Sequence, residues 1–263
     1  MNIKVLSRND FEINFLVEGI KPAFAGELRR IMISELPTMA IEWVDFKKND
    51  SALQDEIIAN RLGQIPLTYD ERVYSMPDSC RCGGKGCSRC QVKLSLKKSG
   101  PCMVYSGDLK STDKSVKPVF EKIPIVELFE DQELQFTAIA QLGIGKEHAK
   151  WQSAVVGYKN VVNITTNVKN AKDAEKYVKA CPRHVFKIVD GKLVVANPLE
   201  CNMCMQCVEL TNSGEVKVEP IEDSFVFTVE SVCGLSVEKI VENAAKILEE
   251  KAKEFKKAVK KLK

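Results

Sequence analysis

The sequence predicts an α+β fold with amphipathic helices near both ends and a cysteine-rich insert. Three observations lead to this prediction. Short segments in which apolar and polar residues alternate recur along most of the chain, as they do in β-strands. Apolar residues recur at helical spacing at about 22–36 and again at 236–262. Eight of the ten cysteines fall in two short islands, each of which needs its own explanation.

The first third of the chain alternates between strands and helices. Strands are expected at 3–6 and 11–17, with a turn at Asn9-Asp10 between them. A helix at about 22–36 begins near Pro22, which suits a first turn, and Pro37 ends it. A strand at 38–46 and a helix at 52–62 follow.

The rest of the chain reads mainly as strands, interrupted by the insert. Strands are expected near 91–96, 102–105, 133–142 and 158–165. A helix at 171–180 precedes a hairpin that turns through Asp190-Gly191, a strong hairpin signal. After strands near 215–219 and 225–230, Ser236 is a good N-cap for a last helix of roughly 40 Å. A terminal helix of this length with an apolar stripe is typical of contact with a partner, and packing within its own core is the alternative.

Length and composition limit the function classes. A chain of 263 residues suggests two domains, with three as the alternative. The formal net charge of +3 excludes a histone-like coat and an acidic tail, but not a local basic patch. No apolar run approaches the ~18 residues of a membrane helix, and charged residues interrupt the N-terminal segment where a signal peptide would need an apolar core. We therefore expect a cytoplasmic protein without membrane contact, and a reducing compartment favours metal ligation over disulfides.

The run Cys201-Asn-Met-Cys204-Met-Gln-Cys207 is the more specific cysteine pattern. Its C-x2-C-x2-C spacing wraps three thiolates around an iron–sulfur cubane. In ferredoxin-type runs a fourth cysteine follows after three residues, just before proline, and binds a second cluster. Thr211 stands at that position here, so this run gives no ligand to a second cluster.

The missing fourth ligand is found upstream, at Cys181-Pro182. Cys181 stands where the same template has its fourth cysteine, the one that binds the other cluster. The three cysteines that would precede it are replaced by Ala171, Ala174 and Tyr177. One complete set of ligands remains: Cys181, Cys201, Cys204 and Cys207. We expect one [4Fe–4S] cluster on this set. A [3Fe–4S] cluster, a zinc ion on the same thiolates and unligated buried thiols are the alternatives.

The other island, residues 80–90, places four thiolates within eleven positions: Cys80, Cys82, Cys87 and Cys90. Three glycines between them let the backbone curl tightly, as a small tetrahedral cage requires. Four thiolates suit a closed structural site for one Zn²⁺. Unligated or disulfide-paired thiols on a flexible loop are the alternative. Three loop cations, Arg81, Lys85 and Arg89, would offset the negative charge of the zinc centre or contact nucleic acid.

Catalytic residues are not expected on this chain. Each four-cysteine site leaves no open coordination position for a substrate. His148 and His184 are the only histidines, and no Ser or Cys forms a credible nucleophilic set with them. The segment around Gly143 and Gly145 lacks the spacing of a phosphate-binding loop.

Four sequence blocks resemble the alpha family of RNA polymerase subunits, in its archaeal version with a ferredoxin-like insert. They occur in the family's order at 25–42, 55–67, 140–151 and 225–234. The resemblance implies a discontinuous dimerisation domain (1–44 and 221–263), a mainly β second domain (45–165) and an inserted iron–sulfur domain (166–220). The single cluster departs from those relatives that hold two.

The resemblance also implies a function and partners. The chain would be a non-catalytic assembly subunit of RNA polymerase that forms a heterodimer with subunit L. Subunits N and P and the second-largest subunit would then assemble on it, without direct DNA contact by this chain. The implied interface residues on the first and last helices are Phe24, Leu28, Ile31, Met32, Ile240, Ile247, Leu248 and Phe255.

Two other functions remain as alternatives. A ferredoxin-like electron-transfer protein would use the 201–207 run for turnover with a redox partner. A nucleic-acid binder built on the 80–90 loop would show strongly salt-dependent binding. An assembly subunit would instead be poorly soluble alone and rescued by its partner.

Overall fold

The computed structural model describes residues 1–168, 170–210 and 214–262, and it contains helices and several antiparallel sheets. The strands are β1 (Asn2–Arg8), β2 (Glu12–Glu18), β3 (Pro37–Asn49), β4 (Gln91–Ser99), β5 (Cys102–Tyr105), β6 (Lys110–Ser111), β7 (Pro124–Leu128), β8 (Glu133–Ile144), β9 (Ala154–Thr166), β10 (Phe186–Val189), β11 (Lys192–Val195) and β12 (Val216–Ser231). The helices are α1 (Pro22–Ser34), α2 (Asp55–Gly63), α3 (Ala171–Ala180), α4 (Gln206–Glu209) and α5 (Val237–Lys260). In the described part of the chain, no helix is both long and apolar enough to span a bilayer.

The chain divides into two compact units, and both are discontinuous in sequence. The first unit contains residues 1–9, 13–29 and 157–228. The second contains residues 10–12, 30–156 and the chain from 229 onward.

A four-stranded sheet of order β1-β2-β12-β9 forms the base of the first unit. Strands β1 and β2 pair antiparallel, with Ile3 opposite Val17. Alternate residues of β2 are buried, as expected for a strand with one face on the core. The rings of Phe15 and Phe227 stack at 5.2 Å between centroids and join β2 to β12 through side chains.

The cysteine-rich insert has an apolar core of its own within the first unit. Ala174 and Tyr177 of α3 are fully buried there, and the Tyr177 hydroxyl donates to a Glu215 carboxylate oxygen at 3.1 Å. The hairpin β10–β11 turns through Asp190 (φ 50°) and Gly191 (φ 73°), both left-handed as the predicted hairpin turn requires. The insert therefore folds around buried side chains as well as around its cysteines.

The second unit is built on a sheet of order β3-β8-β4-β6. Strand β8 is paired along its length on both edges: Gly143 lies opposite Thr38 of β3, and Ala138 lies opposite Leu94 of β4. A two-stranded sheet, β5–β7, belongs to the same unit. The Trp151 carbonyl accepts a hydrogen bond of 2.8 Å from the buried Thr38 hydroxyl, which fixes the segment after β8 against β3.

The structure corrects three element predictions. The segments near 215–219 and 225–230 form one strand, β12, because Pro220 keeps an extended backbone and removes only one hydrogen-bond donor. Helix α2 begins at Asp55 rather than at 52. Strands β6 and β7 were not predicted, since both are short and lack a long alternating pattern.

Substitution Gly143→Ala tests the packing of β8. The new Cβ would overlap the Trp151 ring, so we expect a loss of about 1–3 kcal/mol in unfolding free energy. Gly63→Ala is the control, since its Cβ would meet neighbours only at 3.6 Å and beyond. Denaturant unfolding followed by tryptophan fluorescence measures both variants. Equal stability of Gly143→Ala and the unmodified chain would contradict this packing.

Candidate metal centres and partner surfaces

The 80–90 loop brings its four cysteine sulfurs together as the sequence predicted. The Sγ of Cys82 lies 3.5 Å from that of Cys80 and 3.6 Å from that of Cys90. The Sγ of Cys87 lies 3.6 Å from that of Cys80 and 3.8 Å from that of Cys90. All four sulfurs lie within 4.8 Å of one another, so they can share a single metal ion.

The loop's backbone holds this arrangement between a short 3₁₀ turn (Pro77–Ser79) and β4. Gly83, Gly84 and Gly86 adopt left-handed φ values of 64°, 77° and 86°, which L-residues with a Cβ rarely adopt. The Cys87 N–H donates to the Cys90 Sγ at 3.3 Å, and the Cys90 N–H donates to the Cys87 carbonyl at 3.0 Å. The glycine-rich spacing therefore has the structural role that the sequence indicated.

The electrostatics of the 80–90 loop favour a bound cation. The pKa of Cys82 is lowered to about 6, and the largest cause is its hydrogen bond with the Cys80 thiol. Burial is the largest cause that raises the pKa of Cys90 to about 12. Without a cation, four thiols this close cannot all ionise, because each thiolate disfavours the next. A bound metal ion removes that repulsion and releases the remaining protons.

The second set, Cys181, Cys201, Cys204 and Cys207, lines one cavity in the first unit. Cys181 follows the last residue of α3, and Cys207 lies in α4; both thiols are buried, whereas Cys204 is exposed. Apolar side chains, including Val185 and Phe186, form much of the remaining wall. Thr211 stands where the template has a fourth cysteine for a second cluster, and it lies outside the described residues.

Residues 201–207, which carry three of these four cysteines, are held in a strained backbone conformation. Met203 (φ 57°) and Met205 (φ 62°) are left-handed, which costs free energy for residues with a Cβ. The turn directs the Met203 N–H toward the Cys201 Sγ at 3.5 Å. Such strain persists only where the surroundings enforce it, and N–H groups that face sulfur are suited to a thiolate ligand.

The two cysteine sets differ in how far apart their sulfur atoms lie. Among the described residues, the only group of three or more Cys, His, Asp or Glu ligand atoms compact enough for one ion is that of the 80–90 loop. The cavity thiols are nevertheless within electrostatic reach of one another: burial first, and then Cys201, Cys181 and Cys204, raise the pKa of Cys207. This wider spacing suits ligands that each bind a different atom of a larger group.

The predicted partner residues fall into two classes. Ile31, Met32 and Ile240 are 0% exposed and Leu28 is also buried, so these side chains support the helices from within the chain. Phe24 is 38% exposed. On α5, the exposure of predicted partner residues increases toward the C-terminus: Ile247 and Leu248 are half-buried, and Phe255 is 72% exposed.

Two features near these sites were missed by the sequence reasoning. Lys150 pairs with Glu42 and lies 4.5 Å from the centroid of the Trp151 ring, which fixes the third motif block to β3. Arg183 lines the cavity of the second cysteine set, and its position two residues after Cys181 was the available signal. Arg183 and the three predicted loop cations are all exposed to solvent.

Comparison with known proteins identifies the family. The family described as RNA polymerase Rpb3/RpoA insert domain matches residues 44–164. The DNA-directed RNA polymerase subunit Rpo3 of Methanosphaera stadtmanae is 41% identical over 260 residues, which cover 96% of both chains. The subunit Rpo3 of Archaeoglobus fulgidus is 40% identical over 259 residues, covering 98% of this chain and 97% of the relative. That of Thermococcus kodakarensis is 41% identical over 257 residues, covering 97% of this chain and 96% of the relative.

The chain belongs to the Rpo3 family of DNA-directed RNA polymerase subunits. This confirms the resemblance that the four sequence blocks predicted. The similarity extends over nearly the whole chain, including the cysteine-rich insert. The comparisons give no support to the alternative of a ferredoxin-like electron-transfer protein.

Substitution Cys90→Ser tests the metal site of the 80–90 loop. We expect a loss of about one bound metal ion per chain, because a four-thiolate cage that lacks a buried ligand binds its metal much more weakly. Cys102→Ser is the matched control, because Cys102 lies outside both cysteine sets. Elemental analysis of the purified full chain measures the ions. The same metal content in both variants would refute a site at the loop.

Proposed function

We propose that this chain is a non-catalytic assembly subunit of archaeal DNA-dependent RNA polymerase, acting in the cytoplasm. It forms a heterodimer with subunit L, on which subunits N and P and the second-largest subunit assemble. The complex as a whole is a nucleotidyltransferase, and this chain supplies no active site to it. Full-length similarity to Rpo3 subunits supports the polymerase role, and the surface of α5 supports the role of a partner-binding platform.

The C-terminal half of α5 is the observation that carries the partner proposal. Near its start, Val237, Ile240 and Ala244 are buried. Farther along, Phe255, Val259 and Leu262 are 72%, 41% and 85% exposed. Phe255 and Val259 are four residues apart and therefore share one face of α5, and Leu262 lies in the turn directly after the helix. An apolar stripe that its own chain leaves in water is typical of a surface that another polypeptide covers.

We propose the domain division that the resemblance implied. Residues 45–165 would form the second domain, and the family match at 44–164 supports its limits. Residues 166–220 would form the inserted domain, and the separate apolar core around Tyr177 supports it. Residues 1–44 and 221–263 would form the dimerisation domain.

For the 80–90 loop we propose one structural Zn²⁺. A tetrahedron with Zn–S distances of ~2.3 Å has S···S edges of about 3.8 Å. Four of the six Sγ separations, at 3.5, 3.6, 3.6 and 3.8 Å, are close to that value, and the other two are within 4.8 Å. Because thiolates fill all four positions, the ion would brace the loop and leave no place for a substrate.

For the second set we propose one [4Fe–4S] cluster, with a [3Fe–4S] cluster as the alternative. Cys181, Cys201, Cys204 and Cys207 would hold it, and it would supply a metal–sulfur crosslink between α3 and α4. The left-handed backbone at Met203 and Met205, the N–H that faces the Cys201 sulfur and the wider spacing of the thiols support this choice over zinc. The chain's residues orient the ligands and keep water away from the buried ones.

Substitution Phe255→Asp tests the partner surface. A charge in the exposed stripe should weaken the heterodimer with subunit L by tenfold or more, since a buried aromatic anchor contributes about 2 kcal/mol. Phe129→Asp is the control, because Phe129 is 56% exposed but lies outside α5. Co-expression with subunit L and titration of the purified chains give the affinities.

Two outcomes would contradict the assembly proposal. One is an unchanged affinity in Phe255→Asp together with an intact fold. The other is a full chain that stays monomeric and soluble at high concentration without any partner, because the exposed stripe would then need no cover.

Substitution Cys204→Ser tests the role of the proposed cluster. We expect iron and sulfide to fall well below the unmodified chain, and amides of the core around Tyr177 to exchange faster, because a small insert buries little core of its own. The 80–90 loop should keep its metal, which serves as an internal control. Elemental analysis and hydrogen exchange measure both effects. Unchanged iron in this variant would exclude the cluster on these four cysteines.

A further inference from the structure

We propose that Arg183, together with Lys159, raises the reduction potential of the cluster in the four-cysteine cavity by stabilising its reduced, more negative state. This inference rests on the iron–sulfur site proposed above and assigns an electrostatic role to two residues outside its ligands. The role is one of tuning, because neither side chain supplies a ligand atom.

The composition of the cavity wall is the first argument. Among the described residues that line the cavity, Arg183 is the only one with a charged side chain apart from the cysteines themselves. The other lining residues are apolar or neutral, such as Ile164, Val218 and Gln206. Arg183 is exposed to solvent, so water partly screens its guanidinium, but it supplies the only fixed charge that the described lining places beside the four thiolates.

Lys159 on β9 provides a second, independent cation near the same cysteines. Its side chain is half-buried, and burial is the largest cause that lowers its pKa. Glu200 and Cys201 act in the opposite direction, whereas Arg183 lowers the pKa further. The lysine, Arg183 and the Cys201 thiol are thus within electrostatic reach of one another.

The sign of the effect follows from the charge change. Reduction adds one electron, delivered by an electrode or by dithionite, and no bond forms or breaks in Arg183 or Lys159. The added negative charge lies beside fixed positive charges, so the reduced state gains more from them than the oxidised state does. Net charge around an iron–sulfur cluster is one of the factors that set its potential. Removing either cation should therefore lower the potential.

The test compares midpoint potentials of the full chain, co-purified with its partner subunit under anaerobic conditions. In Arg183→Gln we expect the ratio of reduced to oxidised cluster at a fixed potential to fall roughly tenfold, which is a shift of 59 mV for a one-electron couple. Lys159→Gln should shift the potential in the same direction. Arg183→Lys keeps the positive charge, so its potential should stay close to that of the unmodified chain. Lys192→Gln is the control, because Lys192 is an exposed cation of β11 that does not line the cavity.

Iron and sulfide contents separate the failure of this inference from the failure of the proposed cluster. Unchanged potentials in Arg183→Gln and Lys159→Gln, with iron and sulfide at the level of the unmodified chain, would overturn the electrostatic role and leave the cluster in place. An unmodified chain without iron and sulfide would overturn both proposals. If Arg183→Gln loses the cluster, Lys159→Gln alone decides the sign of the shift.

Discussion

The hydrogen-bonded ladder along β8 is the constraint on which the second unit depends. This strand pairs with β3 on one edge and with β4 on the other, so it fixes the register of both. The register of β4 places the residue after Cys90 at the sheet, and one end of the 80–90 loop is therefore anchored on a rigid element. The register of β3 likewise positions Thr38, which holds the segment at Trp151. A slip of one residue would reverse the faces of the strands and separate these contacts.

The fold could be predicted where the chain carries a local signal. The hairpin at Asp190-Gly191, the alternating pattern of β2 and the start of the last helix after Ser236 depend on neighbours in sequence, and the structure has all three elements. The Ser236 side chain makes no capping hydrogen bond, so only the position of the helix start is confirmed. Strand β12 was predicted as two pieces because proline normally interrupts a strand. Strand β7 was missed because its place depends on pairing with β5, a contact that no local pattern records.

The cysteine sets show the same division between local and non-local information. The 80–90 loop needed only spacing and glycines, and the sequence therefore predicted its compact thiols. The second set combines a short run with Cys181, which is distant in sequence, and only a template could connect them. Lys159 is distant in sequence from all four cysteines, so no local pattern could connect it with them, whereas Arg183 carried a signal in its position two residues after Cys181. The buried Leu28, Ile31, Met32 and Ile240 illustrate a related problem, since an apolar stripe does not reveal which of its members the chain itself covers.

Helix α5 is buried at its start and exposed at its end, and the exposed end is the part that a partner would cover. Its first turns are packed in the second unit, where Lys251 reaches Glu35 at 2.6 Å and Asn243 reaches Glu71 at 3.3 Å. Beyond Lys251 the helix continues with exposed residues on every side. About ten residues of isolated helix are marginal in water, because propagation barely offsets the loss of backbone entropy. The last turns of α5 contain Phe255 and Val259 on one face and lysines on the others, and the exposed Leu262 follows in the turn after the helix. Such a segment gains most of its stability when the apolar face is buried, so the side chains that we expect to lower the solubility of the free chain are those that would stabilise a complex.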